Sequence, residues 1–324
     1  MKKNKFTYLI DKSNDDGRLD LINKFLKSNW EKEVADFKNL QSLEKKIINA
    51  DALITMSWDY NLNYGNNLKL IQLPGAGVDE INFKCIPKNI SVCNVYEHEI
   101  PISEFVLTGM LNWVTKFLEI DKNLKRGNWH GSFLFGPQHN ELYEKTIGIV
   151  GYGKIGKEVW KRCKSFGMKL FACNKSKKKI DSVNFTKPME DIEELYKVSD
   201  FILLSVPLNS DTKHLINLSS FKLMKKKAFL INVSRGKIIN EEDLYTALSK
   251  KIIGGALIDT WNKYPTNHDD VFYPSELKFH QLDNIYMSSH ASAWTEQLKP
   301  RRNKVIAANL NRLANGKKLL NVVT

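Results

Sequence analysis

Three polar side chains follow short apolar runs, at the places where a strand would end. They are Arg235 in Ile231-Asn-Val-Ser-Arg235-Gly, Asp259 in Gly254-Gly-Ala-Leu-Ile-Asp259-Thr-Trp, and His290 in Tyr286-Met-Ser-Ser-His290-Ala. An open parallel α/β sheet gathers its ligands beyond the carboxyl ends of its strands, so residues there are the first candidates for chemistry. Arginine offers a permanently charged, planar fork that holds a carboxylate and polarises a carbonyl oxygen. Histidine moves a proton near neutral pH. A cation and a proton donor side by side are what reduction of a carbonyl needs, provided a hydride donor lies next to them. Taken singly, the three also fit a surface arginine, a helix-capping aspartate and a satisfied loop histidine.

A place for such a donor lies upstream. Thr146-Ile-Gly-Ile-Val-Gly151-Tyr-Gly153-Lys-Ile-Gly156 is an apolar, β-branched run ending in G-x-G-x-x-G. That form is expected where a buried strand turns into a helix whose N-terminus holds a pyrophosphate. Gly151 permits the tight turn, Gly153 lets the backbone approach the phosphates, and Gly156 lets helix and strand pack closely. Val159, Trp160, Cys163 and Phe166 then recur at near-helical spacing until Gly167 stops the run. A chance glycine cluster in a loop would lack this strand before it and this helix after it.

The elements that must position these residues form two series. From Phe6 to Val95, strand-like runs (6–10, 52–56, 68–73, 90–95) alternate with amphipathic stretches such as Leu19–Leu26 and Leu43–Ile48. This predicts a small parallel α/β unit. Pro101 opens a long helix, 102–118, apolar around most of its circumference and therefore buried at a domain or subunit interface. A second series starts at Thr146, with strands at 146–150, 169–173, 201–206, 228–233, 255–258 and 285–288. Helical patterns such as 192–198 and 241–249 separate most of them, the outline of a dinucleotide-binding fold. A basic helix, 296–315, ends the chain. The boundaries fall near Glu99 and Ala291: residues 1–99 with 292–324 form one discontinuous domain and 100–291 the other.

Bulk properties exclude several classes. Hydrophobic content of 42% and charged content of 26% suit a globular protein. No apolar run approaches the ~18 residues of a membrane span, and the apolar start at Phe6 is cut at Asp11, too short for a signal peptide. The cytoplasm is the expected location, with no membrane partner. Cys85, Cys93, Cys163 and Cys173 form no C-x-x-C and no zinc spacing. A reducing compartment and no metal are expected. The net charge of +13 comes from scattered lysines in a chain also rich in Asn and Ile, so no nucleic-acid partner is expected.

The chain resembles the D-isomer-specific 2-hydroxyacid dehydrogenases nearly end to end. The matching segments are Gly75-Ala-Gly-Val-Asp79, Pro101-Ile-Ser-Glu104, Gly151–Gly156 with Phe166-Gly-Met168, Asn232-Val-Ser-Arg235-Gly, and Ser289-His290. The resemblance implies an NAD(P)-dependent oxidoreductase with a Rossmann doubly wound parallel-sheet domain. A smaller, flavodoxin-like α/β substrate domain would be built from both chain ends, and two copies would associate through the 101–118 helix region. It implies backbone N–H groups of Ala76 and Gly77 on the substrate carboxylate. Arg235 would bind that carboxylate and the C2 oxygen, and His290 would serve as acid and base. Asp259 would contact the nicotinamide carboxamide. The backbone at Lys154 and Ile155 would hold the pyrophosphate, with Val206, Pro207 and Val233 along the cofactor and Trp294 at the substrate. Glyoxylate or hydroxypyruvate fits as the substrate by resemblance alone. The runner-up is a non-catalytic NAD(P)-sensing interaction protein on the same fold, as in the family's transcriptional corepressor branch.

Two positions depart from the family pattern. Family members usually carry a glutamate five residues after the aspartate, where it pairs with the histidine. Here the segment reads Asp259-Thr-Trp-Asn-Lys-Tyr264-Pro265. Tyr264 can hydrogen-bond a histidine but brings no negative charge at neutral pH; a nearby acid, Glu97 or Glu99, is the alternative partner. The second departure is Asn174, at the end of the second strand, where NAD-selective folds have Asp or Glu. An aspartate would repel a 2′-phosphate by about 3 kcal/mol per unit charge at ~5 Å and an effective dielectric of ~20. Asn174 removes that barrier, and Lys175 and Ser176, with Lys177, offer charge and a hydroxyl. NADP(H) is therefore the expected cofactor, with NAD(H) second. In a lysine-rich chain, the alternative reading of this run is a solvated face.

Overall fold

Short runs, most of them rich in Leu, Ile and Val and too brief for helices, form the strands of two parallel sheets. The computed structural model describes residues 6–12, 17–181, 186–267 and 271–323. The chain divides into two compact units, Met1–Glu97 with Thr295–Thr324, and His98–Trp294.

The first unit contains β1 (Phe6–Asp11), α1 (Arg18–Asn23), β2 (Trp30–Ala35), α2 (Leu40–Ile47), β3 (Ala52–Ile54), β4 (Leu70–Gln72) and β5 (Ser91–Cys93). The strand order is β2-β1-β3-β4-β5, all parallel, the flavodoxin-like doubly wound order. β2 was not expected. Its sequence, Trp-Glu-Lys-Glu-Val-Ala, is charged at three of six positions, and it lies at the sheet edge, where a strand needs little apolar patterning. The C-terminal helix α9 (Leu298–Ala314) belongs to this unit. Its Ile306, Ala307 and Leu310 close one face of the sheet against Tyr8, Ile10, Ala52, Ile54 and Leu70. Asn309 Nδ2 donates to Gln72 Oε1 at 2.7 Å inside that contact.

The second unit opens with α3 (Glu99–Thr115) and α4 (Phe117–Leu124). A single helix over 102–118 was expected. Instead Lys116, at φ 54°, takes a left-handed conformation that ends α3 and turns the chain. Ile102, Val106, Met110 and Val114 pack into the unit's own core, with Ile147, Ile149 and Leu257, and Trp113 stacks on Phe229 at 4.5 Å. Apolar coverage of α3 is thus satisfied largely within the unit.

The sheet follows: β6 (Thr146–Val150), α5 (Lys154–Ser165), β7 (Lys169–Cys173), α6 (Ile192–Val198), β8 (Phe201–Leu204), α7 (Leu218–Leu223), β9 (Phe229–Asn232), α8 (Glu241–Ser249), β10 (Gly255–Ile258) and β11 (Ile285–Met287). The order β11-β10-β9-β8-β6-β7 is entirely parallel. The chain leaves β6 toward β7 on one side and returns to β8 on the other. Beyond the carboxyl ends of β6 and β8 there is therefore a topological switch point, where such sheets bind ligands. Cys163 and Cys173 are core residues, and burial pushes both thiols up to about 12. Among the described residues, no helix is long and apolar enough to cross a membrane.

Candidate functional site

The glycine loop leaves β6 at the switch point. Gly151 sits at φ +93°, and a Cβ there would lie 2.7 Å from Val206 Cγ1 and 2.8 Å from the Ser205 carbonyl oxygen. Only glycine tolerates both the angle and the contact. Ser205 Oγ donates to the Gly151 carbonyl at 2.7 Å, joining the β6 and β8 loops. A Cβ on Gly153 would meet no atom within 4 Å among the described residues, so the backbone here is bare toward a ligand. Gly153 caps α5 without a side-chain bond. Lys154 and Ile155 occupy the first turn, whose N–H groups have no acceptor within the helix and favour an anion. These features fit the pyrophosphate of a dinucleotide.

Asn174 follows β7. Its Oδ1 accepts from the Tyr152 N–H at 3.0 Å, and its Nδ2 donates to the Ser176 carbonyl at 2.7 Å. The side chain expected at a ribose therefore staples the glycine loop to the 174–176 turn. Lys175 Nζ lies 3.3 Å from Asp211 Oδ2, with both groups largely exposed. Such a pair contributes at most about 1 kcal/mol. Val206 and Val233 are buried in the unit's hydrophobic core, while Pro207 is exposed.

Arg235, Asp259 and His290 stand beyond the ends of β9, β10 and β11, three adjacent parallel strands. Asn232 is fully buried and shapes the first of these turns. Its Oδ1 accepts from the Ser234 N–H and Oγ, and its Nδ2 donates to the Arg235 carbonyl at 2.9 Å. Arg235 Nη1 donates to the Ser234 carbonyl at 2.8 Å, so the half-buried guanidinium is held on one side.

Asp259 is fully buried. Its Oδ1 accepts from Ser288 Oγ at 2.7 Å, the Ala291 N–H at 2.9 Å and the Ser292 N–H at 3.2 Å, and its Oδ2 accepts from Ser292 Oγ. In this structure its carboxylate is turned to the histidine loop. His290 has a backbone φ of 62°. The residue is exposed overall, but desolvation of its ring lowers its pKa below 6.5. Asp259 pulls that pKa up and Arg235 pushes it down. All three groups thus share one electrostatic neighbourhood.

Tyr264, with Glu97 or Glu99 as the alternative, was expected to orient His290. Its ring centroid lies 5.7 Å from that of His290, tilted by 40°, but its hydroxyl accepts the Trp261 N–H at 3.1 Å. Among the described residues no hydrogen bond joins this hydroxyl to the imidazole. Ser288, Ser292 and Asn232 are the site residues that sequence reasoning missed. The one available signal was the pair of small hydroxyl residues two positions either side of the histidine. Trp294 is 82% exposed.

Ala76 and Gly77 lie in the first unit, on the loop after β4. The Ala76 carbonyl accepts from Asn94 Nδ2 at 2.8 Å and the Gly75 carbonyl from the Val95 N–H at 3.0 Å, which fixes the loop. Among the described residues the N–H groups of Ala76 and Gly77 donate to no protein acceptor.

A cavity of about 890 Å³ lies elsewhere, between the 131–145 segment, Lys169 and Asp200. It opens at the amino ends of β6, β7 and β8, the end opposite the glycine loop, and contains none of the residues above.

Comparison with known proteins agrees with this geometry. Residues 107–292 match the sequence model of the D-isomer specific 2-hydroxyacid dehydrogenase NAD-binding domain. A glyoxylate reductase of Thermococcus onnurineus is 30% identical over 90% of this chain and 89% of its own length. A D-3-phosphoglycerate dehydrogenase of Methanocaldococcus jannaschii is 32% identical over 93% of the chain, which spans only 56% of that relative. The fold matches a crystal structure of the NADPH-dependent glyoxylate/hydroxypyruvate reductase of Sinorhizobium meliloti in complex with NADP and sulfate, at a TM-score of 0.77, 19% identity and 98% coverage of both chains. The chain belongs to the D-isomer specific 2-hydroxyacid dehydrogenases, a family of NAD(P)-dependent oxidoreductases.

Proposed function

We propose that the protein reduces a small 2-oxo acid, of the size of glyoxylate or hydroxypyruvate, to its D-2-hydroxy acid, with NADPH preferred over NADH. The observation that carries this reading is the convergence of Arg235 and His290 at the ends of β9 and β11, in the sheet that carries the glycine loop. The bound nicotinamide supplies the hydride. Arg235 binds the substrate carboxylate and polarises the C2 carbonyl, and its bond to the Ser234 carbonyl limits the angles it can adopt. His290 gives its proton to the C2 oxygen as negative charge develops there, and takes it back in oxidation. Asp259 Oδ2 keeps an acceptor position for the carboxamide. For the Ala76–Gly77 loop, in its own unit, the proposed role is a carboxylate contact through backbone N–H groups.

The cofactor preference rests on Asn174 and the lysines after it. With an amide in place of a carboxylate, a 2′-phosphate meets no fixed negative charge at position 174. Ser176, held by Asn174, and Lys175 supply a donor and a cation. Steady-state kinetics over a panel of 2-oxo acids tests the whole reading. We expect turnover, with kcat/KM at least about tenfold higher for NADPH than for NADH (~1.4 kcal/mol). Equal values for the two cofactors would refute the preference. Tight NADPH binding without turnover of any acid would refute the reaction.

Two copies are proposed to associate through the segment after α3 rather than through α3 itself. Phe117, Leu118, Trp129, Phe133, Leu134 and Phe135 are all exposed, Phe133 almost completely, a density of apolar side chains typical of an interaction surface. Light scattering behind a sizing column should give twice the mass of the chain. The mass of one chain would eliminate the pairing.

A further inference from the structure

The Asp259 carboxylate holds the two sides of one residue. Ser288 lies before His290, and Ala291 and Ser292 lie after it. All three donate to Asp259, Ser292 through both its N–H and its hydroxyl. Trp261 Nε1 adds a tether from the same loop, donating to the Ser288 carbonyl at 2.8 Å. Between these anchors His290 is held at φ 62°, a left-handed conformation that a residue with a Cβ rarely adopts. It persists only where surrounding contacts over-determine it. The imidazole itself has no hydrogen-bond partner among the described residues; the Tyr264 ring lies beside it, but the Tyr264 hydroxyl accepts the Trp261 N–H and makes no bond to the imidazole. Position 264 therefore supplies neither charge nor a hydrogen bond to the ring.

We propose that Asp259 is the positioning residue for His290, acting through the Ser288 and Ser292 hydroxyls, and that this clamp replaces orientation by a carboxylate on the ring. The inference rests on the reading of His290 as the acid–base group. The clamp works from the backbone side. It fixes where the Cα–Cβ bond of His290 points and leaves both ring nitrogens for solvent and substrate. It also keeps one negative charge close to the ring. The groups that face the imidazole are Asp259, which favours its protonated form, Arg235, which opposes it, and the Tyr264 ring.

The experiment uses the full chain with Ser288→Ala, Ser292→Ala and Asp259→Asn. Loss of one hydroxyl from the clamp should lower kcat about tenfold to a hundredfold, the scale of a misplaced catalytic group. In the two serine variants the dissociation constant for NADPH, read by tryptophan fluorescence, should change less than about twofold, because neither hydroxyl is assigned a cofactor contact. In the Asp259→Asn background, Ser292→Ala should cost little more, because the two residues form one unit. A kcat within twofold of wild type in both serine variants overturns the proposal. So does a loss that falls entirely on NADPH affinity, which would make Asp259 a cofactor contact only. The His290 ring signal, assigned by its disappearance in His290→Asn, gives a readout independent of turnover. Its titration midpoint should fall by about one unit in Asp259→Asn; an unmoved midpoint overturns the electrostatic half of the clamp. If the wild-type protein turns over no 2-oxo acid while the midpoint still falls, the reading of the reaction fails and the clamp stands.

Discussion

Replacing His290 with alanine is expected to lower kcat/KM for 2-oxo acid reduction by about 10²–10⁴, the usual worth of a positioned general acid. The pH dependence follows from the same residue. Burial holds the imidazole pKa below 6.5, Arg235 pushes it the same way, and Asp259 partly opposes them. In reduction the ring must begin protonated. The wild-type kcat/KM should therefore be flat at low pH and fall about tenfold per unit above a midpoint that lies below 6.5. In oxidation the ring must begin neutral, so the profile rises and levels off above the same midpoint. Rate profiles in both directions check this, and both limbs should vanish in His290→Ala. A reductive limb that breaks well above 6.5 would mean that a further acid holds the proton on the histidine.

Arg235→Ala should cost about 10²–10⁴ in kcat/KM, mostly as a raised KM with a smaller fall in kcat. The estimate takes two charge-assisted hydrogen bonds to a carboxylate, each about 1.5–3 kcal/mol. Arg235→Lys should recover only part of the loss, because lysine keeps the charge but not the fork. The neighbourhood gives a second readout. Arg235 depresses the pKa of His290, so its removal should move the imidazole midpoint upward, opposite to the effect of removing Asp259. A KM unchanged in Arg235→Ala would take the residue out of substrate binding.

The strands of the second unit are legible in the sequence because each is a short, mostly apolar run bounded by glycine or polar residues, and three inner ones, β8, β9 and β10, are buried at every position. β9, Phe229–Asn232, is buried at all four positions. The carboxyl-end rule then brings Arg235, Asp259 and His290 together without any tertiary information. β2 escapes for the opposite reason. At the edge of its sheet it keeps a charged, part-exposed face, so no apolar pattern marks it. The break at Lys116 is invisible because lysine carries no signal for a positive φ. Side-chain pairing is the other limit. Position 264 is readable as a departure, but only the folded loop reveals that the Trp261 N–H takes its hydroxyl. Likewise, no spacing rule predicts that Asn174 will turn its amide inward to Tyr152 and Ser176.

The joining of the two chain ends in one unit has a consequence for how the molecule is made. The first sheet begins at residue 6, yet Tyr8, Ile10 and Leu70 gain their cover from Ile306, Ala307 and Leu310. On the ribosome those partners emerge only after the whole of His98–Trp294. The amino-terminal sheet must therefore wait with one apolar face uncovered while the nucleotide unit, continuous in sequence, already has all of its own core. Domains generally fold as units during synthesis. Here the order of completion is the reverse of the order of translation, and the earliest strands are the ones exposed longest to mispairing.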